Sequence, residues 1–190
     1  KGVTSFDQMK NLPKEVIEKL KSICYISVAN IEKKLKSSYD ETVKYLFSFE
    51  DKECVEAVVM KYKHGYSMCI STQVGCKMGC TFCATGMGGF TRQLAPSEML
   101  AQIEAAQRDL NIRISNIVLM GMGEPLDNYA NVVKFVRLVS SEKGLNIGTR
   151  HITLSTCGLV PKIYDLADEG FGITLTEFFQ DDIFKEVEQD

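Results

Sequence analysis

The chain has 190 residues, 45% of them hydrophobic, and a formal net charge of −3. That length and apolar content exclude a disordered polypeptide and indicate one globular domain, or one with a small appendage. No apolar run approaches the length of a bilayer-spanning helix and no charged-then-apolar leader opens the chain, so a soluble, cytoplasmic protein without a membrane partner is expected.

Residues 1–22 have helical spacing, with Phe6, Met9, Leu12, Val16, Ile17 and Leu20 recurring on one side and Pro13 at a helix start. Strands are predicted over residues 28–35, 43–49, 55–62 and 67–72, bounded by turn-forming polar and glycine residues. Alternation in the second of these marks a half-exposed strand. A helix is predicted over 96–109, with Pro96 and Glu98 in its first turn. A buried strand over 114–120 runs into a glycine-rich loop. Helices over 131–141 and 161–169 flank a strand over 151–155, and another strand begins at 172. Strand–helix alternation implies βα units on a parallel sheet. The fold class expected is therefore α/β, with a small N-terminal helical and antiparallel-strand extension before the parallel part. Residues 165–190 carry nine acidic groups and one lysine, which leaves 21 basic against 16 acidic groups in the rest. A mildly basic body is compatible with RNA without being diagnostic of it.

Three cysteines, Cys76, Cys80 and Cys83, stand in a C-x3-C-x2-C spacing on a loop carrying Gly75 and Gly79. Thiolates this close can converge on one soft metal centre. Structural zinc sites close with four ligands, whereas three thiolates on a four-iron cube leave one iron open for a small molecule. The competing reading is three small buried cysteines, but two glycines are foreign to a core helix. Seven cysteines in all, an odd number with three crowded together, favour metal or catalysis in a reducing compartment over a disulfide framework. The cysteine loop, the loop Gly121-Met122-Gly123-Glu124-Pro125 and the loop after Ser155 each follow a predicted strand. Active sites of βα folds gather at that end of the strands, so all three loops are expected on one rim. Gly121 and Gly123 open the backbone for close approach of a ligand, and Glu124 adds a carboxylate; taken alone the glycines read better as an ordinary strand-to-helix turn, and the cysteine cluster tips the reading to ligand binding.

The C-x3-C-x-aromatic-C pattern, with Phe82 in the aromatic slot, resembles the cluster loop of radical S-adenosylmethionine (SAM) enzymes. Cys69–Cys76 (Cys-Ile-Ser-Thr-Gln-Val-Gly-Cys), Ala84–Phe90 (Ala-Thr-Gly-Met-Gly-Gly-Phe), Met120–Pro125 and Leu154-Ser155-Thr156-Cys157-Gly158 narrow the match. Together they resemble the adenine-C2 RNA methyltransferases of the RlmN/Cfr type, from about Phe6 to about Leu175. The resemblance implies a radical SAM (β/α) barrel, here only partial and apparently truncated at both ends. It divides the chain into 1–25, the remnant of a helical module; 26–66, the antiparallel extension; 67–175, the partial barrel; and 176–190, an acidic tail of unclear origin.

By that resemblance Cys76, Cys80 and Cys83 hold a [4Fe–4S] cluster. Gly123 and Glu124 receive the amino-acid part of SAM and Ser155 contacts its ribose. Phe82 flanks the adenine, though it reads equally as a core aromatic. Cys69 resolves a covalent protein–RNA adduct. Glu56 matches the position of a proton acceptor, though it reads equally as a solvated strand carboxylate. The implied reaction adds methyl to C2 of adenine in 23S rRNA and possibly tRNA, with an electron donor such as flavodoxin; the oligomeric state is open. The methyl-carrying cysteine is expected beyond the end of this sequence, so the chain is expected to bind SAM without methylating RNA. Cys24, Cys54 and Cys157 read as packing residues, and His64 and His151 as loop or strand-edge histidines. Two alternatives stand: a radical SAM enzyme with another substrate, and a non-catalytic iron–sulfur or zinc-binding fragment.

Overall fold

The structure, a computed structural model, describes residues 2–177; the acidic tail from Phe178 onward lies outside the described residues. Among the described residues, nine strands and four α-helices follow one another as α1 (Lys14–Ile23), β1 (Asn30–Lys36), β2 (Val43–Ser48), β3 (Cys54–Tyr62), β4 (Gly65–Cys69), β5 (Gln73–Gly75), β6 (Phe90–Gln93), α2 (Pro96–Leu110), β7 (Ile114–Leu119), α3 (Tyr129–Ser140), β8 (Ile152–Thr156), α4 (Val160–Asp168) and β9 (Thr174–Glu177). Seven strands form one sheet in the order β1-β2-β3-β4-β7-β8-β9, and β5 pairs with β6 in a separate ribbon. The pairings from β1 to β4 are antiparallel, and those from β4 through β7 and β8 to β9 are parallel. The antiparallel strands thus continue without a break into the parallel ones.

Register assigns the two faces. Val58 pairs with Cys69, Cys69 with Val118, and Val118 with Thr153. Paired residues share a face and alternate residues along a strand return to it. Glu56, Val58, Cys69, Val118, Thr153 and Ser155 therefore lie on one side. The other side carries Val55, Ala57, Val59, Met68, Ile117, Leu119, Ile152 and Leu154, every one of them buried. Val43, Tyr45 and Phe47 of β2 extend this apolar face, which is cross-strand paired with β3. Met99, Ile103 and Ala106 of α2 and Phe135, Val136 and Val139 of α3 are buried in the same core cluster. The Tyr45 hydroxyl donates to Asp109 near the end of α2 (2.6 Å), which ties that helix to the sheet.

Local chemistry explains where these helices begin and end. Pro96 sits in the first turn of α2, where its missing N–H has no partner to lose, and the Glu98 carboxylate accepts from the Ala95 N–H (2.8 Å). Asn111 ends the helix in the left-handed region, φ 52°. By contrast α1 buries none of its residues. Among the described residues no helix is long and apolar enough to cross a membrane.

The structure departs from expectation after β4. That strand stops at Cys69, where continuous pairing to residue 72 was predicted. The chain then enters the β5–β6 ribbon, whose two strands bracket the cysteine loop. Gly75 makes the ribbon possible: it has φ +72°, and a Cβ there would lie 1.9 Å from the Gly89 carbonyl oxygen.

Candidate active site

Three loops that follow β5, β7 and β8 surround one cavity of about 390 Å3, a size typical of small-molecule sites. Its wall is formed by Cys76, Met78, Cys80, Phe82, Cys83 and Thr85 from the first loop. Leu119 to Gly121, Gly123 and Glu124 come from the end of β7 and the second loop, and Ser155, Thr156 and Cys157 from the end of β8 and the third. The cysteine triplet, the glycine–glutamate loop and Ser155, far apart in sequence, thus meet here.

The first loop is pinned at its start by the Cys76 N–H donating to the Gly89 carbonyl (2.9 Å) and turns at Cys83, whose N–H donates to the Cys80 carbonyl (3.1 Å). All three cysteines are half-buried free thiols. Burial raises the Cys76 thiol pKa; the amide of Met78 opposes the rise, and the neighbouring Cys80, Cys83 and Glu124 reinforce it. A positively charged group bound among the three thiols would favour the thiolate form of each. Three soft donors on one cavity wall fit an iron–sulfur cluster in donor type and number. Among the described residues, no three His, Cys, Asp or Glu side chains already converge to metal-binding distance.

The second loop is shaped by what it packs against. A Cβ on Gly121 would lie 2.6 Å from the Ile70 carbonyl oxygen, and one on Gly123, which has φ +99°, would lie 2.5 Å from the Gln73 side chain. The glycines therefore admit the segment 70–73, and both also line the cavity. Glu124 is buried, at 4% exposure. One carboxylate oxygen accepts from the Leu126 N–H (2.9 Å) and the other from the Cys157 N–H (2.8 Å), so this side chain joins the second loop to the third. Ser155 is buried at the end of β8 and lines the cavity. Phe82 lines it from the rim with 64% of its surface exposed, which excludes the core-aromatic reading. Cys157, expected as a packing residue, stands instead on the cavity wall. Its thiol is pushed up to about 12 by burial and by the adjoining Glu124 carboxylate.

Cys69 and Glu56 lie outside the cavity lining but on the same face of the sheet as Ser155. The Cys69 thiol is raised by burial, and the Met120 amide opposes the rise. Glu56 forms an ion pair with Lys44 (2.7 Å) and is about half-exposed, while its carbonyl accepts from the Ser71 hydroxyl (2.6 Å).

Sequence reasoning missed a polar network behind the cavity. The Gln73 amide nitrogen donates to Gln93 (2.8 Å) and to Asp127 (2.8 Å), and its oxygen accepts from the Glu124 N–H (2.8 Å). Asp127 also pairs with Lys77 (2.7 Å), inside the cysteine loop. The Asn128 amide donates to the carbonyls of Thr72 and Leu94, both 2.8 Å. The only signal in the sequence was the polar pair Asp127-Asn128 just ahead of an apolar helical run.

The family model of the radical SAM superfamily matches residues 70–181, which include all three loops. The chain belongs to the radical SAM superfamily. A probable dual-specificity RNA methyltransferase RlmN of Clostridium acetobutylicum is 59% identical over 174 residues, covering 92% of this radical SAM chain and 50% of the relative. A protein of the same name from Clostridium beijerinckii is 54% identical over 190 residues, 98% of this chain and 54% of its own length. The crystal structure of a radical SAM methyltransferase from Sphaerobacter thermophilus superimposes with a TM-score of 0.84 at 41% identity, over 92% of this chain and 52% of that one. The chain spans about half the length of the curated relatives it matches.

Proposed function

We propose that this chain carries the cluster-binding and SAM-binding part of an RNA adenine-C2 methyltransferase. The observation that carries the reading is the single cavity walled by Cys76, Cys80, Cys83, Gly123, Glu124 and Ser155. The substrate class rests on the printed names of relatives that are more than half identical, dual-specificity RNA methyltransferases. On this reading the substrates are 23S rRNA and tRNA, an electron carrier such as flavodoxin supplies the reductant, and the protein works in the cytoplasm.

Cys76, Cys80 and Cys83 would hold a [4Fe–4S] cluster through their thiolates. When bound, the reduced cluster supplies the electron that splits SAM into methionine and a 5′-deoxyadenosyl radical, a step protein side chains cannot perform. The chain's own residues bind and orient. Glu124 is held by two backbone amides, and each carboxylate oxygen keeps a second acceptor site for an ammonium group. Ser155 offers a hydroxyl to a ribose, and Phe82 a ring face to an adenine. Cys69, on the sheet face shared with Ser155, is suited to attack a covalent adduct once deprotonated. Glu56, on that same face, would take up the proton from the adenine carbon; substrate binding would have to displace Lys44 from it.

The test is anaerobic reconstitution of the chain with iron and sulfide, followed by SAM and a strong reductant. The expected result is four irons and four sulfides per chain and release of 5′-deoxyadenosine with methionine. Each single Cys→Ala at 76, 80 or 83 should lose the cluster. Full zinc occupancy without iron, or full iron in any one of these variants, would sink the assignment.

A further inference from the structure

We propose that Lys77 and Asp127 form a positioning pair that sets the cysteine loop against the glycine–glutamate loop, so that Cys76 and Glu124 face one cavity at a fixed separation. This rests on the reading of that cavity given above. Lys77 directly follows Cys76, and its ammonium contacts Asp127 at 2.7 Å. Asp127 in turn lies three residues after Glu124, and the Asp127 N–H donates to the Glu124 carbonyl (3.1 Å). The pair therefore spans the gap between the two loops.

Asp127 is itself held. Its second carboxylate oxygen accepts from Gln73 (2.8 Å) and Gln93 (3.1 Å), and its carbonyl accepts from Gln93 (3.1 Å). Gln73 begins β5 and Gln93 ends β6, the two strands that bracket the cysteine loop. The other end of Gln73 accepts from the Glu124 N–H. Buried Gln73 and partly buried Gln93 and Asp127 are thus mutually hydrogen-bonded, and a connected polar network fixes geometry more firmly than its separate bonds would. Lys77 is the one member that reaches into the cysteine loop itself. Its ammonium also lies over the Phe90 ring, 5.8 Å from the centroid, next to the ribbon. Neither residue lines the cavity, so neither acts on a bound molecule directly.

Lys77→Met keeps the length and the packing on Phe90 but removes the charge; Lys77→Arg restores a cation able to reach a carboxylate. Backbone hydrogen exchange on the metal-free, reduced protein reads the loop without any cofactor. In Lys77→Met, the amides of Cys76 and Cys83 should exchange about threefold to fivefold faster, as expected for loss of an ion pair between an exposed lysine and a partly buried carboxylate. The amides of β7 and β8 should be unchanged and Lys77→Arg should return the loop to wild-type exchange. On the reconstituted protein, Lys77→Met should weaken SAM binding by a similar factor and shift the cluster's midpoint potential, with Lys77→Arg again restoring both. Unchanged loop exchange in Lys77→Met would overturn the proposal, as would faster exchange across the whole sheet. The metal-free arm stands alone: faster loop exchange in a protein that takes up no iron would support the pair and refute the cluster assignment instead.

Discussion

Replacing Glu124 with alanine should cost stability before any cofactor is present. The wild-type carboxylate accepts two backbone amides, from Leu126 at 2.9 Å and Cys157 at 2.8 Å. Hydrogen bonds to a charged group contribute about 1.5–3 kcal/mol each, and an amide left unpaired in a dry site costs up to the full desolvation penalty. Leu126 is fully buried, so its amide should cost about 2–3 kcal/mol. The Cys157 amide borders the cavity, where water can replace the lost acceptor, so about 1 kcal/mol is expected there. The sum, about 3–4 kcal/mol, is a large part of the roughly 5–15 kcal/mol that holds a typical domain together. Glu124→Gln retains one acceptor oxygen and should cost about half as much. Urea unfolding of the metal-free chain, under reducing and anaerobic conditions, measures both against wild type. A Glu124→Ala midpoint that corresponds to less than about 0.5 kcal/mol of lost stability would refute the claim that this carboxylate joins the two loops.

Gly75→Ala forces a Cβ within 1.9 Å of a backbone carbonyl at a positive φ, and should cost at least about 2 kcal/mol. For a chain of this length that corresponds to a fall in Tm of about 4–8 °C by calorimetry. Asp127 gives a pH signature. Burial acts to raise its pKa, but Lys77, Gln93 and Gln73 outweigh it and hold the carboxyl below its ordinary value. A depressed carboxyl contributes stability that is fully present above the unfolded pKa, about 3.9, and is lost as pH falls through the lower folded value. Acid titration of stability should therefore fall less steeply below about pH 4 in Asp127→Asn than in wild type.

The parts of this structure written in local patterns were readable before folding. Pro96 and Glu98 marked the start of α2, and apolar runs ending in glycine marked β7 and its loop. The rule that functional loops follow strands brought three distant motifs to one rim, and the cavity lies where those loops meet. Strands of three and four residues, such as β5 and β6, are too short to show a period, so the ribbon beside the cysteine loop was invisible. The contact between Lys77 and Asp127 spans fifty positions, and nothing local distinguishes either from a solvated charge. Cys157 reaches the cavity wall next to Glu124, a contact that exists only once β7 and β8 are side by side. Gly121 and Gly123 also answer to a constraint that no local pattern shows, since a Cβ on either would collide with Ile70 or Gln73.

The first strand of the sheet has a consequence for how this molecule meets others. β1 is exposed at every residue, carries Lys33, Lys34 and Lys36, and is broken by a register shift between Ile31 and Lys33. A kinked border carrying charged side chains is a poor template for a further strand, because an incoming backbone would meet both a misaligned ladder and the exposed Lys33 and Lys36. Strand-by-strand stacking of neighbouring molecules is thereby disfavoured on that side, whereas β9, at the other border of the described sheet, pairs in parallel with β8.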